Sequence, residues 1–497
     1  MKHFEDTICA PATPVGGGAI SIIRVSGPDA LRLADSIVQF RTGAALSSEG
    51  YTLKYGTIPG VDEVLVSIFR APHSYTGEDS VEISCHASSY IVQKILQLLV
   101  AAGGRMAEAG EFTRRAFVNG KMDLSQAEAV ADLIASGSEL SHKVALSQLK
   151  GSYSSELKEL RERLVELASL LELELDFSEE EVEFADRAHL QGLLDKATAH
   201  VEKLVDSFRT GNAIRNGVPV AIVGAVNAGK STLLNALVGE DRAIVSDVPG
   251  TTRDTIEETV TLGGILFRFI DTAGLRESGD RIEKIGIDRS YASIAKAQTV
   301  VAVLDGCAPL PDVQKSFAAI AARLAGGDKK LIVLRNKVDS YDAIAPEEFP
   351  KMDRSYNCFE LKYPAFGTYE LDPEALAGKL SEYLESKDVP VPEGLEVLDV
   401  SARTGEGLDM LKERLVASAG LADWNGASLV TNLRHYEALE RALDSLRQVS
   451  IGLDRKSPTD LIAQDLRDAI AELGSIFGAV TTEDLLKNIF SRFCIGK

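Results

Sequence analysis

The stretch VPVAIVGAVNAGKSTLLNAL, residues 218–237, decides the fold of the middle of this 497-residue chain. It has the pattern of an apolar strand, a glycine turn and a helix, and GAVNAGKS within it matches G-x-x-x-x-G-K-[ST]. In such a loop backbone N–H groups surround phosphate oxygens, the lysine reaches the β- and γ-phosphates, and the serine hydroxyl ligates Mg²⁺. The stretch therefore predicts a parallel α/β domain that binds a nucleotide, with Lys230 and Ser231 in these roles.

Four shorter motifs identify the nucleotide as GTP. In NKVD (336–339) the carboxylate of Asp339 can accept two hydrogen bonds from guanine, which adenine cannot offer, while Asn336 braces the loop. SAR (401–403) follows another strand and presents a backbone N–H to guanine O6. DTAG (271–274) supplies Asp271 to the Mg²⁺ shell and the Gly274 amide to the γ-phosphate, and PGTTRD (249–254) supplies threonines to a closing loop.

Two residues bear on how hydrolysis is arranged. Leu275 follows DTAG, where Ras-type enzymes have a glutamine that orients water. Asn227 lies in the phosphate loop, where its side-chain oxygen and backbone carbonyls of residues 246–252 could coordinate a monovalent cation. We therefore expect a K⁺ to supply the positive charge that an arginine finger supplies elsewhere.

Composition excludes several classes of protein. Apolar residues make up 45% and charged residues 26%, as in ordinary globular proteins, and no stretch approaches the roughly 18 uninterrupted apolar residues of a membrane helix. The net charge of −21 disfavours a general nucleic-acid binder. Five scattered cysteines without a C-x-x-C, and a start that is neither a secretory signal nor a transit peptide, favour the cytoplasm.

Periodicity divides the chain into three kinds of segment. Residues 1–120 alternate β-branched runs, such as 17–27, with a helix at 89–103. The patterns are helical over 121–216, alternate between strand and helix over 217–421, and become helical again over 422–497. We expect the two helical segments to form one domain into which the α/β domain is inserted.

The chain ends in SRFCIGK, and three interpretations of this ending are open. A C-a-a-X prenylation signal fits poorly because Gly496 and Lys497 follow the aliphatic residue. A frayed tail is common at a terminus. The third is a thiol, that of Cys494, held in place by an amphipathic helix in which Phe490 and Phe493 are buried.

Together these motifs resemble the MnmE (TrmE) family of tRNA-modification GTPases. The resemblance also rests on TPVGGGAISIIRVSG, YTGEDSVEI, GEFTRRAFVNGKMDLSQAEAVADLI and FCIGK, and it spans nearly the whole chain. It implies a multidomain α/β fold: an N-terminal α+β domain that binds tetrahydrofolate and forms a homodimer, a central helical domain, and an inserted Ras-like P-loop GTPase domain.

The resemblance also implies a chemistry. The family works with the flavoprotein MnmG on the wobble uridine (U34) of certain tRNAs, and it installs an aminomethyl-type group from 5-formyl- or methylene-tetrahydrofolate. The alternative from the GTPase motifs alone is a regulatory or ribosome-assembly GTPase without folate chemistry. Binding of 5-formyltetrahydrofolate would distinguish the two.

Site residues follow from the motifs and from the resemblance. Those expected at GTP are Asn227, Ala228, Gly229, Lys230, Ser231, Thr232, Ser246, Thr251, Thr252, Asp271, Thr272, Ala273, Gly274, Asn336, Lys337, Asp339, Ser401, Ala402 and Arg403. The resemblance assigns Mg²⁺ to Ser231 and Thr252, K⁺ to Asn227, Ser246, Val248 and Thr251, and folate to Arg24, Glu82, Lys121 and Lys497. It makes Glu283 the group that orients water and Cys494 a catalytic residue of the modification step.

One segment departs from the family pattern. About 60 residues separate NKVD from SAR, and residues 341–393 carry several turn signals. We predict that 341–393 is a surface insertion.

Overall fold

A computed structural model describes residues 4–14, 18–176, 187–240, 258–270, 293–324, 329–340, 368, 371–421, 428–455, 457–479, 481–491, 493 and 496. It divides the chain into two compact units. The first comprises residues 1–135, 145–205 and 434–497, and the second comprises 136–144 and 206–433. The second unit thus contains the phosphate-loop motif and interrupts the first in sequence, as expected for an inserted domain.

The N-terminal part of the first unit is a seven-stranded sheet with helices packed on it. Its strands are β1 (Ile8–Pro11), β2 (Ile20–Ser26), β3 (Gln39–Phe40), β4 (Thr52–Ile58), β5 (Asp62–Phe69), β6 (Ser80–His86) and β7 (Arg105–Met106), in the order β3-β4-β5-β6-β2-β1-β7. Its helices are α1 (Ala30–Ile37), α2 (Ser89–Ala101) and α3 (Glu111–Val118).

Because side chains alternate along its strands, this sheet has one buried face and one more exposed face. In β5 the residues Val64, Val66 and Ile68 are almost fully buried, and the residues between them are more exposed, as the period of two in a strand requires. The buried face packs with α1 and α2 into one apolar core. The strands predicted around 17–27 and the helix predicted at 89–103 are confirmed as β2 and α2.

The rest of the first unit is helical and comes from both ends of the chain. Its helices are α4 (Leu124–Ala135), α6 (Ser152–Asp176) and α7 (Arg187–Asp206), followed after the second unit by α13 (Leu433–Asp454), α14 (Thr459–Phe477) and α15 (Glu483–Phe490); α5 (Glu139–Leu149) runs across the division between the units. Helix α14 packs along α6, and both present apolar residues at helical spacing. The helices from the two segments therefore pack together within the first unit.

The second unit is a six-stranded sheet between helices. Its strands are β8 (Val218–Gly224), β9 (Glu258–Leu262), β10 (Ile265–Phe269), β11 (Thr299–Asp305), β12 (Lys330–Asn336) and β13 (Val397–Val400), in the order β13-β12-β11-β8-β10-β9. Its helices are α8 (Phe208–Asn216), α9 (Lys230–Glu240), α10 (Leu310–Leu324), α11 (Pro373–Ser386) and α12 (Leu408–Ala419). All neighbouring strands are parallel except β9, which pairs antiparallel with β10.

The prediction of a surface insertion over 341–393 is wrong for its second half. Helix α11 begins with Asp372 as its N-cap and buries Leu376, Leu380 and Leu384 completely in the core beside α10 and β13. The four-residue spacing of these leucines is the signal that the turn residues around them obscured. Residues 341–367 lie outside the described residues.

Candidate functional site

The parallel strands bring the nucleotide motifs to one edge of the sheet. Asp305 of β11 lies beside Asn336 of β12, and Asn336 lies beside Val400 of β13, so that three strands end in register. The phosphate loop follows β8, which is the next strand on the other side of β11. This is the edge at which open parallel sheets bind their ligands.

The phosphate loop is shaped by close contacts with the neighbouring loop. Gly229 has φ +94°, and a Cβ atom at this position would collide with the side-chain nitrogen of Asn336. Asn227 also has a positive φ of 63°, which asparagine tolerates better than most residues, and its side chain is exposed. Ala228 is fully buried, whereas Ser231 and Thr232 are exposed in the first turn of α9.

Lys230 turns back onto the phosphate loop. Its Nζ donates to the carbonyl oxygens of Gly224, at 3.0 Å, and Ala225, at 2.7 Å. Burial lowers the pKa of this ammonium group from its ordinary value. The ammonium and the N-terminus of α9 are thus on the same loop, and both favour an anion.

Asn336 joins the phosphate loop to the loop after β13. Its side-chain nitrogen donates to the carbonyl oxygen of Ala228 at 2.8 Å, and its side-chain oxygen accepts from the backbone N–H of Ala402 at 3.0 Å. The residue is 2% exposed. One buried amide therefore holds together the two loops that are expected to contact phosphate and base.

The carboxylate of Asp339 is held by two groups of the SAR motif. The hydroxyl of Ser401 donates to it at 2.7 Å, and the guanidinium of Arg403 lies 2.6 Å from its other oxygen. The hydrogen bond from Ser401, and to a lesser degree the charge of Arg403, keep the pKa of Asp339 below its usual value. The Asp339 carboxylate is therefore ionised at neutral pH, as an acceptor for guanine N–H groups must be.

Lys337 has a contact that the motif did not indicate. Its backbone has φ +74°, and its Nζ forms an ion pair with Asp305 at 2.7 Å. Asp305 is the last residue of β11, and its position directly after the apolar run VVAVL is the only sequence signal for this contact.

Several predicted site residues lie outside the described residues, and their roles stay predictions. They are Ser246, Val248, Thr251, Thr252, Asp271, Thr272, Ala273, Gly274, Glu283, Cys494 and Lys497.

In the first unit Arg24 and Glu82 form a pair on adjacent strands. They are direct partners in the β2–β6 register, and the guanidinium lies 2.9 Å from the carboxylate. Sequence reasoning missed the rings of Tyr75 and Phe112, whose centroids lie 5.1 and 5.6 Å from the Arg24 guanidinium carbon. Such contacts hold the guanidinium plane while leaving part of it accessible.

Lys121 lies against the 72–77 loop, which carries Tyr75. Its Nζ donates to the carbonyl oxygen of Pro72 at 2.9 Å, and its stem lies against Gly77. Lys121 also borders a cleft of about 1680 Å³, whose other basic side chains are Arg114, Lys158 and Lys487. The structure thus brings Arg24 and Glu82 together directly, and Lys121 near them through the 72–77 loop.

The C-terminal helix is anchored as the sequence predicts. Phe490 is 2% exposed and packs with Leu124 and Ala127, and Phe493 packs against the same cluster. The two phenylalanine rings lie 5.4 Å apart.

Comparisons with known proteins agree with this arrangement. The family model for the GTP-binding protein TrmE N-terminus matches residues 7–121, and that for the MnmE helical domain matches residues 124–494. The tRNA modification GTPase MnmE of Bacteroides fragilis (strain YCH46) is 48% identical over 500 residues, which cover 99% of this chain and all of that protein. The MnmE of Bacteroides thetaiotaomicron is 47% identical with the same coverage.

The alignments with these relatives run through the N-terminal sheet, both helical segments and the unit that contains the phosphate loop. By identity, coverage and family models alike, the chain belongs to the MnmE family of tRNA modification GTPases.

Proposed function

We propose that this protein hydrolyses GTP with the help of K⁺ and, together with the flavoprotein MnmG, modifies the wobble uridine (U34) of certain tRNAs. The one-carbon unit comes from 5-formyl- or methylene-tetrahydrofolate, and the protein acts in the cytoplasm as a homodimer through its N-terminal domain. The observation that carries the proposal is the 48% identity to a tRNA modification GTPase over 99% of the chain.

The second unit supplies the groups that GTP binding needs. Asp339, ionised and oriented by Ser401, would accept from guanine, and the SAR motif would present a backbone N–H to guanine O6. When a nucleotide binds, Nζ of Lys230 would leave the carbonyl oxygens of Gly224 and Ala225 and donate to phosphate oxygens instead. Ser231, exposed at the start of α9, would hold Mg²⁺ together with Thr252; the metal neutralises charge that develops on the phosphates.

Asn227 has the chemistry of a K⁺ ligand. Its amide oxygen is a hard, neutral donor on the exposed rim of the phosphate loop, and Ser246, Val248 and Thr251 would complete the set. Glu283 would orient the attacking water, because Leu275 cannot.

Potassium dependence tests this part of the proposal. An arginine finger is worth roughly 10³–10⁵ in rate, so GTP turnover in KCl should exceed that in NaCl by on the order of 10-fold or more at equal ionic strength. Asn227→Gly should abolish the difference, since glycine accepts the positive φ and lacks the side-chain oxygen. Asn227→Asp, which keeps an oxygen, is the matched control. Equal turnover of the wild-type protein in both salts would refute the K⁺ role.

The first unit supplies groups suited to folate. Arg24, held against two aromatic rings, suits the carboxylates and flat rings of the ligand, and Lys121 offers a second cation. Glu82 would accept from pterin N–H groups, and Lys497 would add a further ammonium group. The thiol of Cys494 would act in the modification step as nucleophile or proton donor.

Two measurements test the folate chemistry. Isothermal titration with 5-formyltetrahydrofolate should show binding that Arg24→Ala weakens. Cys494→Ser should bind the folate and hydrolyse GTP at the wild-type rate, yet leave U34 unmodified when MnmG is present, as judged by nucleoside mass spectrometry. Absence of folate binding by the wild-type protein would overturn the folate role, and full modification by Cys494→Ser would make the cysteine structural.

A further inference from the structure

The end of β11 carries a carboxylate whose two oxygens have separate partners. Oδ2 of Asp305 lies 2.7 Å from Nζ of Lys337, and Oδ1 accepts the backbone N–H of Cys307 at 3.0 Å. Both charged side chains are mostly buried, with exposures of 19% for Asp305 and 32% for Lys337. The carboxylate therefore joins the loop after β11 to the first residue beyond β12.

Backbone contacts fix the position of this carboxylate. Asp305 and Asn336 are direct partners in the β11–β12 register, and the N–H of Gly306 donates to the carbonyl oxygen of Asn336 at 2.9 Å. The hydroxyl of Thr368, which is fully buried, donates to the carbonyl oxygen of Gly306 at 2.8 Å. The sheet and its loops thus hold Asp305 in place independently of Lys337.

Lys337, in contrast, has a backbone conformation that its residue type disfavours. Its φ of +74° lies in the left-handed region, where residues with a Cβ atom are strained and persist only when their surroundings hold them. Its carbonyl oxygen accepts the N–H of Ser340 at 3.0 Å and closes the turn that carries Asp339. The ion pair with Asp305 offsets the strain and so favours this turn.

We propose that Asp305 is a positioning residue for guanine binding. Its carboxylate fixes Lys337, Lys337 fixes the 337–340 turn, and the turn directs the Asp339 carboxylate at the base. Ser401 supports the same carboxylate through its 2.7 Å hydrogen bond, so that Asp339 is held from two loops. The inference rests on the proposed function, because it assigns the ion pair to the recognition of guanine by Asp339.

Asp305→Asn tests the ion pair, because asparagine can still accept the Cys307 N–H but carries no charge. Isothermal titration should show about 3- to 10-fold weaker GDP binding, at or above the upper end for an exposed ion pair, because both side chains are mostly buried. Binding of inosine diphosphate (IDP) should weaken less, since its base lacks the 2-amino group and offers Asp339 one N–H fewer. The preference for GDP over IDP should therefore fall by about two- to threefold, because one hydrogen bond fewer is at stake with IDP. The midpoint of thermal unfolding should stay near that of the wild type, because the Cys307 N–H keeps its acceptor.

Glu396→Gln is the matched control. It makes the same acid-to-amide change in an ion pair of similar length, 2.9 Å to Arg414. Glu396 directly precedes β13, at the opposite end of that strand from the SAR motif. Its affinities for GDP and IDP should equal those of the wild type.

Lys337→Gly separates the ion pair from other effects of Asp305. Glycine adopts a φ of +74° without strain and has no ammonium group, so Asp305 has no side chain to hold there. In the Lys337→Gly background, Asp305→Asn should change GDP affinity by less than about twofold, since the two residues act as one unit. A loss as large as that caused by Asp305→Asn alone would show that Asp305 acts by another route and would overturn the proposal.

Measurements on the wild-type protein separate this inference from the proposed function. If the wild type binds GDP and IDP equally well, recognition of guanine by Asp339 fails, and the positioning role fails with it. If the wild type prefers GDP and Asp305→Asn keeps both its affinity and its preference, only the positioning role is overturned. Equal losses for GDP and IDP, or a loss that accompanies a lower unfolding midpoint, would also overturn it.

Discussion

At the scale of single residues, the nucleotide site depends on one buried amide. Asn336 uses its nitrogen on the phosphate loop and its oxygen on the loop after β13, and solvent reaches neither bond because the residue is 2% exposed. Replacing it would leave a backbone carbonyl and a backbone N–H in the interior without their partner. Each buried polar group without a hydrogen-bond partner lowers the stability of the folded state by about 1–3 kcal/mol.

We therefore expect Asn336→Ala to weaken binding of GDP and GTP by on the order of 10- to 100-fold, because the two loops lose their common support. Titration of a fluorescent guanine nucleotide measures this directly. Asn235→Ala, on the exposed face of α9, is the control and should bind nucleotide as the wild type does. An unchanged affinity of Asn336→Ala would mean that the two loops keep their positions without the bridge.

At the scale of elements, a buried ion cluster joins the two sequence halves of the helical domain. Glu128 of α4 lies 2.6 Å from Arg434 and 2.7 Å from His435, both in the first turn of α13. Burial raises the pKa of the Glu128 carboxyl, but the charges and hydrogen bonds of His435 and Arg434 outweigh it and lower that pKa to about 2. The ring of Tyr153 stacks on His435 at a centroid distance of 5.6 Å.

Glu128→Ala should reduce the free energy of unfolding by about 3–5 kcal/mol, since it removes a buried carboxylate from its pair with the Arg434 guanidinium and its hydrogen bond with His435. Chemical denaturation followed by circular dichroism measures the loss. Glu172→Ala is the control. The ion pair of Glu172 with Arg467 likewise joins the two sequence halves, through α6 and α14, but both side chains are about half exposed. The loss in free energy of unfolding should therefore stay below about 1 kcal/mol. Similar losses for the two variants would contradict a special role of the buried cluster.

The same cluster sets a pH window for stability. The pKa of Glu128 is lower in the folded state than the usual 4.5, so its stabilisation is complete above about pH 4.5 and is lost as the pH falls towards about 2. In Glu128→Ala the difference from the wild type should therefore shrink across this acidic window.

Local patterns predict elements better than they predict partners. The strand–loop–helix at 218–240 and the alternation in β2, β5 and β6 are local signals, and the structure contains these elements. Helix α11 was missed because turn residues before Pro373 outweighed its three leucines. The Glu128 cluster and the contact of Gly496 with Pro11 join residues hundreds of positions apart, and no local period records such pairs.

At the scale of the molecule, two units should respond to different ligands. In calorimetry GDP at 100 times its Kd should stabilise the second unit by about 2.7 kcal/mol and leave the first unchanged. Under the proposed function, 5-formyltetrahydrofolate should do the reverse. ATP is the control and should shift neither transition, because adenine cannot satisfy Asp339. Equal shifts of all transitions with either ligand would contradict independent binding by the units.

Within the described part of the chain, no helix is long and apolar enough to cross a membrane. The alignments with the matched relatives cover 99% of the chain and therefore span both units.

The split helical domain also sets an order of events on the ribosome. Glu128 is separated by 306 residues from Arg434. At a translation rate of about 5–20 residues per second, roughly 15–60 s pass between the synthesis of Glu128 and that of Arg434. The GTPase sequence is translated entirely within that interval and has time to fold first. The helical domain can close only after Arg434 and His435 have been synthesised, so a chain that stops before α13 lacks these partners of the Glu128 carboxylate.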